Sequence, residues 1–518
     1  MLPSVQDRFP AQRLAGWMET YSDRSLLLTV TVSALAIRLY LLFSNFCISA
    51  DGVEYVAMAQ HFAAGEPGTA LASVFSPLYP WLISLLHNII PNWELAGELI
   101  SAAFGTATIP FIYLLMLRVF HRRTIALGAA AVAAIHPDLA GFSASVRTEA
   151  GYICLMVAAM YLLIAGIEEK RTFRTALAGM SGGIAYLYRA EGIGCVIVSV
   201  PFLLLGALWW GRWSVRIALR SAAVLAAVFL VVASPYLIYL RIESGHWIVS
   251  HELNVATSAG MMRTAVDKAP WEALARSKDV SLLAPLYTDP RAYLHKVAYD
   301  LVMSFYYFAE ALGPLLTAFL VLGLLVHGRD LFRSWSECSL AGLVIFYFCG
   351  FSLFNTGPRF MVHLIPYTFG WLMIGFERAS EWLGRFVLPN RIRAPAALAA
   401  VVALVLLPQT LWPLGYDIRG LRYAGEDIAR RGESTPGIVA RDNRVAFYAH
   451  GQSIELPAEP RPDLCHWLER KPAAHYLLVS RREERSLGDL QALRCLTLIK
   501  RYPRINDSYY DLFQINHD

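Results

Sequence analysis

Long apolar runs separated by short polar connections dominate the chain. A spanning helix needs about 20 mostly apolar residues. About eleven stretches approach that length: 26–46, 99–119, 125–142, 152–167, 176–188, 192–210, 222–240, 307–326, 340–354, 360–376 and 396–411. Pro137 interrupts the third, and Gly179, Gly182 and Gly183 in the fifth suit close helix packing. Arg38 falls inside the first, where a charge must face protein or water rather than lipid. The pattern predicts an all-α polytopic membrane protein.

The connections sort by charge. Arg-rich loops at 121–123, 168–174, 212–220, 328–333 and 378–393 alternate with Arg-poor ones. Placing the Arg-rich loops in the cytoplasm gives one consistent topology. It leaves residues 1–25 as a cytoplasmic tail, with no apolar core or cleavage site of a signal peptide. On the other side lie outer loops 47–95 and 242–306, the turns at Arg147 and Arg359, and a polar region from 415 to 518. The first outer loop is either a loop with one amphipathic helix or, as its apolar content favours, a structured set of interfacial helices.

The transmembrane domain then spans 26–414. In 415–518, expected helices at 424–431, 463–470 and 487–493 alternate with strands at 437–440, 475–480 and 496–500, the pattern of a small α/β accessory domain. Outside the cytoplasm disulfides persist. Cys465 and Cys495 could pair there; two free thiols is the alternative.

Composition agrees with this picture and narrows it. The chain is 56% hydrophobic and 16% charged, against about 25% charged in soluble domains. A net charge of +5 over 518 residues gives no reason to invoke nucleic acid. The seven cysteines form no CxxC pair and no zinc-type cluster with histidine.

Candidate chemistry collects on the non-cytoplasmic side. Directly after the first apolar run stands Ser49-Ala50-Asp51-Gly52-Val53-Glu54-Tyr55. A helix starting near Ala50 puts Asp51 at its N-terminus, where a carboxylate is favoured, and groups Asp51, Glu54, Tyr55 and Met58 on one face. Three further short turns carry charge: Arg147-Thr148-Glu149, Tyr188-Arg189-Ala190-Glu191 and Pro358-Arg359-Phe360. Each could pair locally. Four such sites of both signs favour one shared polar cavity. A carboxylate base with cations able to hold phosphate, walled by lipid-facing helices, suits a lipid-phosphate substrate. No Gly-rich loop for a nucleotide appears.

These residues carry a resemblance. Arg38, Asp51-x-x-x-Tyr55, Ser76-Pro77-Leu78-Tyr79-Pro80, Arg147-Thr148-Glu149, the stretch Gly183 to Gly192 and Arg359-Phe360 before Pro366 resemble, in that order, the GT-C glycosyltransferases. The branch is the bacterial family 39 group of protein O-mannosyltransferases and aminoarabinose transferases, and the likeness covers about residues 26–377. It implies an inverting transfer of a sugar from a polyprenyl-phosphate donor to a lipid, glycan or protein acceptor at the outer face of the bacterial cytoplasmic (inner) membrane. It implies Asp51 as catalytic base, with Glu149, Glu54 and Tyr55 as support for the base or acceptor. Arg359, Arg189, Arg147 and Tyr79 are the residues for donor phosphate or lipid.

The chain departs from the family pattern in two places. Gly52 stands where a second acid often follows the catalytic one, and the first outer loop has no lysine, which argues against aminoarabinose transfer. Arg263 and Lys296 of the long loop are substitute phosphate ligands. No cofactor is required by the sequence, but Asp51, Glu54 and Glu149 could ligate a divalent metal. A transporter or flippase for lipid-linked sugars, or a scaffold subunit, is the competing reading.

Overall fold

A computed structural model describes residues 23–252, 284–386, 393–457, 464–487, 490–504 and 508–516. Arg263 and the tail before Asp23 lie outside the described residues. The expected apolar runs fall on helices, from Asp23–Phe43 to Arg393–Thr410, except that the run at 307–326 straddles two, Pro290–Leu312 and Pro314–Leu331, which break at Gly313, and the run at 125–142 divides into Arg123–Ile135 and Pro137–Phe142. Among the described residues seven helices are long and apolar enough to cross a membrane: Asp23–Phe43, Trp93–Phe120, Glu149–Glu168, Ala190–Leu208, Val215–Ser244, Pro314–Leu331 and Trp335–Leu353. Their outer faces expose Leu208, Val231, Ile242 and Leu325, each at least 70% accessible. So much bare apolar surface is tolerable only against lipid. The chain is a multi-pass membrane protein.

Helices meet closely where the sequence placed glycines. A Cβ at Gly179 would sit 2.5 Å from the Leu225 carbonyl oxygen, so helices Thr172–Tyr188 and Val215–Ser244 touch backbone to backbone. One long helix was missed. Pro290–Leu312 begins inside what reads as a mixed polar loop, because Arg291, His295, Lys296 and Asp300 break its apolar pattern. Lys296 and Asp300 are fully buried and paired at 3.2 Å, one helical turn apart.

The Arg-rich connections gather at one end of the helices. There Arg118 meets Glu168 at 2.6 Å, Arg122 meets Glu377 at 2.7 Å and Arg123 meets Asp23 at 3.1 Å. The first long connection at the opposite end is structured, with helices Ala50–Ala63, Pro67–Leu71 and Leu78–His87.

The C-terminal region carries a five-stranded sheet. Its strands are β1 (Gly437–Ala440), β2 (Gln452–Glu455), β3 (Ala474–Ser480), β4 (Leu496–Pro503) and β5 (Tyr509–Ile515), in the order β2-β1-β3-β5-β4. The first three are parallel, and β5 pairs antiparallel with both β3 and β4. Strands β2 and β5 were not anticipated. β2 is short and mostly exposed, and β5 carries a buried acid, Asp511, which Arg501 grips with two 2.7 Å hydrogen bonds. The expected helix at 487–493 is instead the helix Arg481–Leu487 and a 3-10 turn at Leu490–Ala492. Cys465 and Cys495 form a disulfide with their Cα atoms 5.7 Å apart.

Candidate functional site

Asp51 lies in the first turn of Ala50–Ala63, as the sequence predicts. Ser49 caps that helix: its hydroxyl accepts the Gly52 N–H at 2.9 Å and donates to the Val146 carbonyl at 2.8 Å. The bond to Val146 ties the Asp51 turn to the turn that carries Arg147, Thr148 and Glu149. Tyr79 braces this same turn from below. Its hydroxyl accepts the Arg147 N–H at 3.1 Å and lies 2.9 Å from both the Gly97 carbonyl and the Ser101 hydroxyl. Tyr55, buried at right angles to Tyr79, lies 3.4 Å from the Thr148 hydroxyl.

Arg359 joins the elements. It sits in the short helix Pro358–Met361. Its Nη1 donates to Asp51 Oδ2 at 2.5 Å, and its Nε donates to Glu149 Oε1. The turn before it is held from the Pro290–Leu312 helix. Lys296 Nζ donates to the Ser352 and Phe354 carbonyls at 2.9 and 2.7 Å, and the Ser304 and Thr356 hydroxyls meet at 3.1 Å. Lys296 therefore serves the end of the Trp335–Leu353 helix, where a cation is favoured. The structure does not place it at the cluster.

Arg189 is the second hub and is 5% exposed. It donates to Glu191 at 2.6 Å and to the Thr148 hydroxyl at 3.2 Å, and lies 3.7 Å from Glu149 and 3.9 Å from Glu252. Four carboxylates, Asp51, Glu149, Glu191 and Glu252, thus face Arg359 and Arg189. The Glu149 side chain is 2% exposed, and its Oε2 finds no hydrogen-bond partner among the described residues. Asp51 is more open, at 28%.

Arg147 differs from both other arginines. Its guanidinium lies 5.1 Å over the Phe142 ring. Among the described residues it makes no ion pair within the 4 Å of a salt bridge, while the charges of Glu149 and Asp51 still act on it.

The expected helical face is only partly realised. Tyr55 and Met58 are buried beside Asp51, but Glu54 is exposed and accepts from Asn443 of the C-terminal region at 3.3 Å. Glu54 therefore stands apart from Glu149 and Arg359. Tyr79 is fully buried in its brace and presents no face to a lipid. Among the described residues no three His, Cys, Asp or Glu side chains converge as a metal site; Arg359 lies between Asp51 and Glu149.

Glu252 was not singled out from the sequence, since it stands in the long, mixed loop. Its backbone N–H is held by the Ser250 hydroxyl at 3.0 Å. Burial, with the nearby Glu191 and Asp51 charges, pushes its carboxyl up to about 7 against the pull of Arg189 and Arg359.

The comparisons with known proteins agree with this architecture. The family model described as dolichyl-phosphate-mannose-protein mannosyltransferase matches residues 74–239. ArnT from Cupriavidus metallidurans, solved bound to undecaprenyl phosphate, is similar in structure with a TM-score of 0.56 and 13% identity. The likeness covers 96% of this chain and 98% of that one. The archaeal oligosaccharyltransferase AglB from Archaeoglobus fulgidus, solved with an inhibitory peptide and a dolichol-phosphate, gives a TM-score of 0.60 at 13% identity. That likeness covers 89% of this chain and 70% of AglB. No curated protein matches the chain in sequence. The fold is that of the GT-C membrane glycosyltransferases, of the protein mannosyltransferase and ArnT type.

Proposed function

We propose that this GT-C chain is an inverting glycosyltransferase that moves a sugar from a polyprenyl-phosphate donor to a lipid, glycan or protein acceptor. It would act at the outer face of a bacterial cytoplasmic membrane, the side to which the Arg-poor loops are assigned. The observation that carries the reading is the ion bridge from Asp51 through Arg359 to Glu149, at the helix ends remote from the Arg-rich loops. Three segments far apart in sequence meet there to hold one half-exposed carboxylate.

In the transfer, the acceptor O–H or N–H gives its proton to Asp51. The freed electron pair attacks the anomeric carbon of the donor from the face opposite the phosphate. The bond from that carbon to the phosphate oxygen breaks, and its electron pair leaves with the polyprenyl phosphate. Asp51 suits the base role: Oδ2 is engaged by Arg359, and Oδ1 accepts no hydrogen bond among the described residues. Arg147, without an ion-pair partner among them, suits the leaving phosphate, whose charge grows as the bond breaks. Arg359 and Arg189, already committed to carboxylates, hold the frame and the charge of Glu149.

The test is direct. Purified protein in lipid nanodiscs is given a panel of radiolabelled undecaprenyl-phosphate hexoses and pentoses with membrane extract as acceptor source, and release of undecaprenyl phosphate is followed. Asp51→Asn is expected to stay folded and to lose turnover by about three orders of magnitude, the middle of the range for removing a positioned base. Turnover of the asparagine variant within a few-fold of wild type would overturn the assignment.

A further inference from the structure

The segment between the first helix and Asp51, residues 44–49, is short and has no secondary structure of its own beyond a turn. It is held from both sides. The Ser49 hydroxyl ties it to Val146, in the turn that carries Arg147 and Glu149. The Asn45 amide donates to Glu98 Oε1 of the Trp93–Phe120 helix at 2.6 Å, and further long-range holds come from the start of the C-terminal region and from the sheet domain. The Phe46 N–H donates to the Leu414 carbonyl at 2.8 Å, and the Phe46 ring meets Tyr416 edge-on at 5.5 Å. Gly415, at φ +66°, lies so close that a Cβ there would stand 2.9 Å from the Cys47 nitrogen.

The Ile48 N–H, three residues before Asp51, donates to the Tyr448 hydroxyl at 2.6 Å. That hydroxyl donates its own proton to Glu94 Oε1 at 2.9 Å. It therefore joins the sheet domain, the Asp51 segment and the start of the Trp93–Phe120 helix in one relay. Asn443, one residue before the Arg444–Tyr448 helix, reaches Glu54 in the first turn and a half of the Asp51 helix.

The position of Tyr448 is itself fixed. Its residue is 8% exposed, the Arg422 guanidinium lies 5.1 Å over its ring, and a Cβ at Gly425 would stand 2.6 Å from the Tyr448 Cβ. The hydroxyl is aimed by packing rather than free to follow the segment that it holds.

We propose that the C-terminal domain is a clamp on the Asp51 segment and that Tyr448 is a positioning residue for the transfer. The inference rests on the reading of Asp51 as the base. Loss of the clamp leaves the Ile48 N–H without its buried partner and lets the cap of the Asp51 helix shift. Chemistry that depends on near-attack geometry is sensitive to displacements of about 1 Å, so a small shift of the cap reaches the rate while the donor is still bound.

The test uses the full chain in nanodiscs and the undecaprenyl-phosphate sugar that turns over in the panel above. In Tyr448→Phe, amide exchange across residues 45–52 is expected to rise about five-fold, the loss of one hydrogen bond of about 1 kcal/mol. kcat should fall about ten-fold with the donor KM within two-fold. Glu94→Ala, which removes the acceptor of the Tyr448 proton from the membrane side, should move both readouts the same way, and the double variant should be no worse than Tyr448→Phe alone. If Tyr448→Phe does not fold, Glu94→Ala decides by the same two readouts.

Unchanged exchange at 45–52, or raised exchange with unchanged kcat, overturns the clamp. Asp51→Asn is measured beside them. If that variant keeps its turnover the base reading fails, and the exchange and kcat of Tyr448→Phe still decide separately whether the domain positions the segment.

Discussion

Replacing Arg359 by glutamine separates what the arginine does for stability from what it does for activity. The Glu149 carboxylate is 2% exposed and depends on cations for its charge. Removing one partner of a buried ion pair costs about 3–5 kcal/mol. Two features reduce that figure here. Arg189 remains 3.7 Å from Glu149, and Arg359 is 33% exposed, so part of its charge is already screened by solvent. About 2–3 kcal/mol remains. Adding Glu149→Gln removes the stranded charge, and the double variant should recover most of that loss. It should not recover turnover, because Asp51 still lacks the group that holds its Oδ2. Unfolding in mixed micelles of increasing SDS content, read by tryptophan fluorescence, gives the stability order. Release of undecaprenyl phosphate gives the rate. A single variant within about 0.5 kcal/mol of wild type, a change typical of an unremarkable surface site, would refute the reasoning. So would a double variant no more stable than the single one.

Two further substitutions probe the same region. Gly52→Asp introduces an acid next to Asp51, but a Cβ at Gly52 would stand 2.8 Å from Ile48 Cγ1 and from Ser49 Oγ, and 3.1 Å from Val146 Cβ. The variant is expected to lose about 1–3 kcal/mol from overpacking and most of its turnover; if even Gly52→Ala is neutral in thermal midpoint and rate, the contact is not as tight as described. Glu252 gives a pH signature. Its carboxyl is raised from an ordinary 4.5 to about 7, so the folded state binds the proton more tightly than the unfolded chain. Its contribution to stability is complete below about pH 4.5 and lost as pH rises through about 7. The thermal midpoint should fall between those values, and Glu252→Gln should flatten the fall; parallel curves for the two proteins would rule it out.

Much of the membrane part was legible because its physics is local. Apolar runs set the helices, Gly179 marked a backbone contact, and the stretch after the first run announced a helix starting near Ala50 with Asp51 at its N-terminus. The helix that escaped, Pro290–Leu312, did so for an equally physical reason: its Lys296 and Asp300 neutralise each other one turn apart, so its charges do not mark solvent. Periodicity could place Asp51 and Glu54 on one side of a helix but not say what each would face. Glu54 meets Asn443, 389 positions away, and Asp51 meets Arg359, 308 positions away. Tyr79 shows the same limit from the other direction. Its hydroxyl on a loop helix reads as a ligand group, yet three partners from two other segments consume it.

The departure at Gly52 joins these two levels. In sequence it is a missing acid. In the structure it is the place where Ile48, Ser49 and Val146 close over the first turn of the Asp51 helix, leaving no room for a side chain. A carboxylate adjacent to Asp51 is thereby given up for a tight junction between that turn and the one carrying Glu149. The second carboxylate of the cluster comes instead from across the junction, on the first residue of another helix, with Arg359 spanning the two. Packing at one glycine and the ion bridge at one arginine are then parts of a single arrangement, and disturbing either should be felt at Asp51.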